Sequence, residues 1–129
     1  MEKLIIAEER LDGAEPISLL RLRGTIETSN AAGLEETFAQ VMSENCYRIV
    51  VDLGAVTYIS SAGWGIFISE IKRIRRNAGD IKLAAMVPEV LEVFELLEFN
   101  SILRPYDDTA SAISDFDEVA SSASREDSS

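Results

Sequence analysis

The sequence predicts an α/β fold, with a mixed β-sheet of about five strands packed with about four helices. Two β-rich runs, residues 4–11 and 17–23, flank a turn that contains Gly13 and Pro16, which indicates an antiparallel hairpin. After the hairpin, segments with helical periodicity alternate with short runs of apolar residues. Such alternation is typical of a sheet that is mostly parallel beyond its hairpin.

The elements after the hairpin are predicted in order along the chain. Gly24 is expected to end the second strand, and Ser29 or Asn30 can cap a helix over about residues 31–45. Residues 49–53 are β-branched and almost entirely apolar, as in a strand covered on both faces. A helix is predicted over about 62–77, ended by a glycine C-cap in which Gly79 takes the left-handed conformation. A strand over 81–86, a helix from Pro88 to about Phe99 and a strand over 102–104 follow. Asp108 or Thr109 can cap a last short helix that extends through Val119.

Composition excludes several classes of function. The 129 residues include 12 Lys plus Arg against 23 Asp plus Glu, a net charge of −11, which disfavours direct nucleic-acid binding. There is no histidine, so a Ser-His-Asp or Cys-His catalytic site and any imidazole metal site are excluded. Cys46 is the single cysteine and cannot form an internal disulfide. We therefore expect a protein without enzymatic activity, cofactor or metal.

The distribution of charge and hydropathy predicts the domain organisation. No apolar stretch approaches the ~18 residues of a transmembrane helix, and the N-terminus lacks the features of a secretory signal, so we expect a cytoplasmic protein without membrane insertion. Residues 107–129 contain seven acidic residues and one arginine, a net charge of −6. Residues 1–118 are predicted to form one domain, and residues 119–129 a disordered tail rich in acidic residues and serine.

The segment with the clearest functional pattern joins the predicted strand 49–53 to the next helix. Ser60 and Ser61 stand at the helix start, where the first backbone N–H groups lack partners within the helix. A serine there can serve as an N-cap, or it can accept a phosphoryl group that the helix dipole stabilises. The small residues Ala62, Gly63 and Gly65 either admit a partner closely or let the helix pack on the sheet.

This segment resembles the signature of STAS domains, specifically that of bacterial anti-sigma factor antagonists. The resemblance lies in the strand residues Val50-Val51-Asp52-Leu53 and in the run Val56-Thr57-Tyr58-Ile59-Ser60-Ser61-Ala62-Gly63-Trp64-Gly65. The element order and the residues Gly24-Thr25-Ile26-Glu27 extend it over about residues 4–118. It implies a STAS-like fold and a regulatory binding protein.

In that family, the unphosphorylated protein binds an anti-sigma factor that is a GHKL-type serine kinase, and a sigma factor is released. The kinase phosphorylates the antagonist, which breaks the complex, and a metal-dependent serine phosphatase restores it. By position, the resemblance assigns the acceptor to Ser61 and a kinase contact to Glu27. Ser60 stands where the family has aspartate, and Ala62 stands where it has a second Ser or Thr, so Ser60 is an alternative acceptor.

The other partner-binding residues follow from the same run: Ser60, Ala62, Gly63, Trp64 and Gly65. Trp64 is either an exposed anchor for the partner or part of the core. The basic residues between Lys72 and Arg76 are expected to form a solvated face, with contact to an acidic partner as the alternative. The alternative function is a constitutive STAS scaffold in a signalling or lipid-transport complex. A small α/β enzyme is disfavoured because the sequence has neither a phosphate-binding loop nor a paired carboxylate cluster.

Overall fold

The computed structural model describes residues 3–12 and 15–116, and these form one five-stranded sheet with helices on both faces. The strands lie in their sequence order across the sheet. The first pair is antiparallel, and the other three pairs are parallel. The predicted fold class is therefore confirmed. The strands are β1 (Leu4–Leu11), β2 (Ile17–Ile26), β3 (Arg48–Ile59), β4 (Asp80–Ala84) and β5 (Arg104–Tyr106).

Helices connect the parallel strands in the predicted order. A short 3-10 helix, Phe99–Ser101, lies between the third helix and β5. The predicted tail, residues 119–129, and Val119 of the last predicted helix lie outside the described residues. The α-helices are α1 (Ala31–Ser43), α2 (Ser61–Arg76), α3 (Pro88–Leu96) and α4 (109–116).

The two faces of the sheet carry cores of different size. The larger core lies where α1, α2 and α3 pack on the sheet, and Phe38, Phe67 and Phe94 at its centre are fully buried. The smaller core lies on the opposite face, where Ala112 and Phe116 of α4 pack on the sheet. Side chains alternate between the faces along a strand, so neighbouring residues of β3 serve different cores. Among the described residues, no helix combines the length and hydropathy needed to cross a membrane.

The prediction that Gly24 ends the second strand was wrong, because β2 continues to Ile26. Gly24 has φ +113° within the strand, and a Cβ there would lie 1.9 Å from the carbonyl oxygen of Lys3. Glycine therefore allows β1 to lie close to a distorted β2. The partner strand is also longer than predicted, since β3 runs through residues 54–59. Two shifts in the β2–β3 register place extra residues in β3, which removes the regular alternation that identifies a strand.

The prediction that Gly79 provides the left-handed residue after α2 was wrong. Ala78 takes that conformation, with φ +62°. Gly79 is required for space, since a Cβ there would lie 1.9 Å from the carbonyl oxygen of Tyr47. The last strand is also shifted, because β5 comprises residues 104–106 and includes Pro105. A proline is tolerated there because β5 is at the edge of the sheet.

Candidate functional site

The carboxyl ends of β2 and β3 bring the predicted site residues together at one end of the parallel strands. Ile26 and Ile59 are register partners, and the Ser60 N–H donates to the Ile26 carbonyl oxygen at 2.8 Å. Glu27 follows Ile26, and Ser60 follows Ile59, so their backbones lie side by side. Glu27, the predicted kinase contact, and the predicted acceptors Ser60 and Ser61 therefore lie at the same end of the parallel strands.

Ser60 is the N-cap of α2. Its backbone is extended, with φ −75° and ψ 169°, and its Oγ accepts the Gly63 N–H at 3.2 Å. The Ser60 carbonyl accepts the Trp64 N–H at 3.0 Å and so begins the helical hydrogen bonds. The hydroxyl of Ser60 thus satisfies one of the free donors at the helix start.

Ser61 is the first residue of α2, and its side chain is exposed. Within the described part of the chain, its hydroxyl has no hydrogen-bond partner. The first turn of α2 contains no acidic residue, so the partial positive charge of the helix N-terminus is not neutralised locally. The two neighbouring serines therefore differ, because one hydroxyl is engaged in capping and the other faces solvent.

The loop that carries Glu27 is held by Asn30. The Asn30 side-chain oxygen accepts the Glu27 N–H at 2.9 Å, and its amide nitrogen donates to the Thr25 carbonyl at 2.9 Å. Glu27 is partly exposed beside this turn. The acidic side chain is consequently presented from a fixed backbone.

Gly63 and Gly65 have different surroundings. A Cβ on Gly63 would lie 2.6 Å from Ile26 Cγ2 and 2.9 Å from Ile59 Cγ2. Gly63 therefore lets α2 pack closely on the ends of β2 and β3. A Cβ on Gly65 would meet nothing within 4 Å, and that residue is exposed near Ser61.

Trp64 belongs to the core. It is 3% exposed, and its ring centroid lies 5.2 Å from that of Phe99 and 5.9 Å from that of Phe94. Its indole Nε1 is buried without a hydrogen-bond partner among the described residues. Of the two interpretations made from the sequence, the exposed anchor is therefore not what the structure shows.

A groove that sequence reasoning did not identify extends from Ser61 along α2. Its volume is about 540 Å³, and its second wall comes from the segment after α3. The i, i+4 spacing within α2 indicates which of its residues share a face, but the meeting of α2 with residues 97–99 depends on tertiary packing. We call this cavity the α2 groove. It is lined by Ser61, Trp64, Gly65, Ile68, Ser69, Lys72, Arg76, Leu97 and Phe99.

Comparison with known families identifies this architecture. A family model described as the STAS domain matches residues 10–112. The chain belongs to the STAS domain family. The matched region includes the β3–α2 junction and the strands that position it.

Curated relatives place this STAS domain among the anti-sigma factor antagonists. BtrV of Bordetella bronchiseptica, described provisionally as an anti-sigma factor antagonist, is 35% identical over 92 residues, which cover 71% of this chain and 79% of BtrV. The anti-sigma-F factor antagonist RsfB of Mycobacterium tuberculosis is 33% identical over 61 residues, 47% of this chain and 50% of RsfB. Family membership thus rests on sequence as well as on fold.

Solved structures share the STAS fold at low sequence identity. The anti-sigma factor antagonist SpoIIAA of Bacillus, in its unphosphorylated form, matches with a TM-score of 0.74 and 16% identity, covering 88% of this chain and 97% of that protein. A Thermotoga maritima protein, also described provisionally as an anti-sigma factor antagonist, matches with a TM-score of 0.74 and 19% identity, covering 85% and 92%. These matches concern the fold alone.

Proposed function

We propose that this STAS domain is a phosphorylation-switched anti-sigma factor antagonist. In its unphosphorylated form it binds and sequesters an anti-sigma factor that is a GHKL-type serine kinase, and a sigma factor is released. Phosphorylation of Ser61 ends the binding, and a metal-dependent serine phosphatase restores it. The chain itself performs no catalysis in this scheme. The observation that carries the proposal is the exposed, unengaged hydroxyl of Ser61 at the start of α2 in a relative of anti-sigma factor antagonists.

The position of Ser61 suits a switch that preserves the fold. A phosphoryl group there lies at the positive end of the α2 dipole, which stabilises an anion by ~0.3–1 kcal/mol. The same group adds about −1.5 to −2 charges to the surface. We therefore expect phosphorylation to change what a partner meets while leaving the domain folded. SpoIIAA, which shares this fold, is known in an unphosphorylated and a phosphorylated form.

Ser60 is the weaker candidate because its Oγ already accepts the Gly63 N–H. Phosphorylating Ser60 would replace the N-cap hydroxyl, whereas phosphorylating Ser61 leaves that hydrogen bond in place. The proposed partner surface is the edge formed by Glu27, Ser60, Ala62 and Gly65 around Ser61. Gly63 and Trp64 are buried beneath it and support its shape.

A phosphorylation assay tests the proposal. The full chain is incubated with each GHKL-type serine kinase of the source organism and Mg-ATP, and the modified residue is mapped by mass spectrometry. We expect phosphate on Ser61 in the wild type and in Ser60→Ala, and none in Ser61→Ala. Ser60→Ala loses the cap and about 1 kcal/mol of stability, but keeps the acceptor.

Binding by calorimetry completes the test. Ser61→Ala should bind the kinase in the presence of ATP without being released, and Ser61→Asp should bind at least tenfold more weakly. Equal binding of both variants, together with the absence of phosphate on either serine, would exclude the switch. Phosphate on Ser60 alone would reverse the assignment of the two serines.

A further inference from the structure

The α2 groove joins the proposed phosphoacceptor to a pair of basic residues. Ser61 and Gly65 line its beginning, and Lys72 and Arg76 line its other end. These ends are fifteen residues apart on one helix, roughly 22 Å at 1.5 Å per residue. A partner that covers Ser61 and continues along α2 therefore reaches two cations.

Lys72 and Arg76 differ from the arginines beside them. Arg73 lies 3.7 Å from Glu70, and Arg75 pairs with Asp80 at 3.3 Å and donates to the Ile102 carbonyl at 2.6 Å. Lys72 and Arg76 are exposed and have neither an ion pair nor a hydrogen bond within residues 3–12 and 15–116. In a chain of net charge −11, the groove thus presents two positive charges that no described residue neutralises.

Apolar side chains line the same groove as the serine and the cations. Ile68 and Leu97 line the groove, and Leu97 is 53% exposed. Leu96, next to it, is 74% exposed, and Val93 on α3 is 40% exposed. Large apolar side chains exposed together in this way are typical of a surface that a partner covers.

We propose that the α2 groove docks an acidic segment of the anti-sigma factor that inserts apolar side chains between Ile68 and Leu97. Its carboxylates pair with Lys72 and Arg76, and its other end covers Ser61. This inference rests on the proposed function. It also gives a reason why phosphorylation releases the partner. The new phosphate on Ser61 repels the acidic segment that the two cations attract.

Charge complementarity favours a partner of this chemistry over a second copy of the chain. Two copies of net charge −11 repel one another, whereas an acidic segment is attracted locally by the two groove cations. The groove is also long and partly apolar, which fits a peptide segment better than a small anion.

The test measures the affinity of the full chain for the kinase that phosphorylates it, without ATP. Lys72→Glu and Arg76→Glu should each weaken binding roughly tenfold. Raising the salt concentration should weaken binding by the wild type more than binding by a variant that carries both substitutions. Arg23→Glu is the matched control. It makes the same charge change at an exposed residue without a described partner, on the opposite face of the sheet.

A second pair of variants tests the apolar contact. Leu97→Ser should weaken binding roughly tenfold. Ile5→Ser changes a side chain of nearly equal exposure, 54%, on the distant strand β1 and should leave binding unchanged.

The outcomes separate this inference from the proposed function. If the wild type binds but the groove variants bind as well as Arg23→Glu and Ile5→Ser, the groove is not the docking site and the proposed function stands. If the wild type binds no such kinase, both fail. If the wild type alone forms a dimer in analytical ultracentrifugation that the groove variants abolish, the occupant is a second copy, and the proposed segment is wrong.

Discussion

Neighbouring residues of the β3–α2 junction differ in what surrounds them, although their sequence positions suggest the same role. Ser60 and Ser61 both stand at a helix start, and the sequence leaves open which hydroxyl is free. The hydrogen bond from the Gly63 N–H to Ser60 Oγ distinguishes them. Likewise, Trp64 is compatible with either the core or the surface until its contacts with Phe94 and Phe99 are known.

The two glycines of this segment give a prediction at the residue scale. Gly65→Ala should stabilise the domain by about 0.5–1 kcal/mol, because Gly65 lies in an exposed stretch of helix with open space for a Cβ. Gly63→Ala should destabilise it by roughly 1–3 kcal/mol, because the methyl group would overlap with Ile26 and Ile59. Urea denaturation measures both. A destabilising Gly65→Ala would show that the space beside Gly65 is not open.

At the scale of elements, α2 carries a buried carboxylate. Glu70 is 3% exposed, its Oε2 has no hydrogen-bond partner among the described residues, and Arg73 lies 3.7 Å away. Burial raises the pKa of Glu70, the charge of Arg73 opposes that shift, and the nearby Glu35 of α1 adds to it. Its charged form is therefore less favourable in the folded domain than in the unfolded chain.

Glu70→Gln tests this consequence. Because the folded-state pKa is raised, the contribution of Glu70 to stability is complete below its unfolded pKa of about 4.3 and is lost as the pH rises through the folded pKa. The melting temperature of Glu70→Gln relative to the wild type should therefore be higher at pH 7 than at pH 4. Glu36→Gln, an exposed site on α1, is the control for the chemical change. If the difference in melting temperature between Glu70→Gln and the wild type is the same at both pH values, the pKa of Glu70 is not raised in the folded domain.

Element boundaries show where local sequence is insufficient. The helix over residues 61–76 was predicted closely, because its apolar stripe and its capping serine are local signals. The extension of β3 through residues 54–59 was missed, because its two irregularities are accommodated by pairing with β2. Ala78 takes the left-handed conformation after α2 although a glycine follows it. Gly79 is needed instead for space, because a Cβ there would overlap with the Tyr47 carbonyl, a contact that local sequence does not reveal.

At the scale of the whole molecule, an ionic cluster links α4 to the sheet. Lys82 of β4 is 4% exposed, and its Nζ lies 2.8 Å from Asp115 Oδ2 and 3.0 Å from Tyr106 Oη. Tyr106 Oη also donates to Asp115, and Arg104 lies 3.3 Å from the same carboxylate. Burial alone lowers the pKa of Lys82, but the hydrogen bonds with Asp115 and Tyr106 outweigh it and raise that pKa.

Asp115→Asn should therefore destabilise the domain by roughly 1–3 kcal/mol at pH 7, because it removes the nearer countercharge of buried Lys82 and leaves only Asp80, 3.7 Å from Lys82 Nζ. The hydrogen bonds from Lys82 and Tyr106 hold the pKa of Asp115 below its ordinary value. The contribution of ionised Asp115 to the stability of the domain is complete above its unfolded pKa of about 3.9 and is lost as the pH falls through its folded pKa. Urea denaturation at pH 7 and pH 3 measures it, with exposed Asp107→Asn as the control. An equal effect of the two variants at pH 7 would show that the cluster does not hold α4.

The sequence by itself determined the order of the elements and the family and pointed to a candidate site, because periodicity, capping residues and the strand-to-helix junction are local patterns. Tertiary structure decided which serine hydroxyl is free, why Gly63 is glycine, that Trp64 is buried and that Lys72 and Arg76 share a groove with Ser61 and Leu97. The packing of Gly63, the burial of Trp64 and the groove depend on contacts between segments distant in the chain, which packing on the sheet sets. The free hydroxyl of Ser61 depends on where α2 begins, because the Gly63 N–H binds Ser60 Oγ and leaves the Ser61 hydroxyl unengaged.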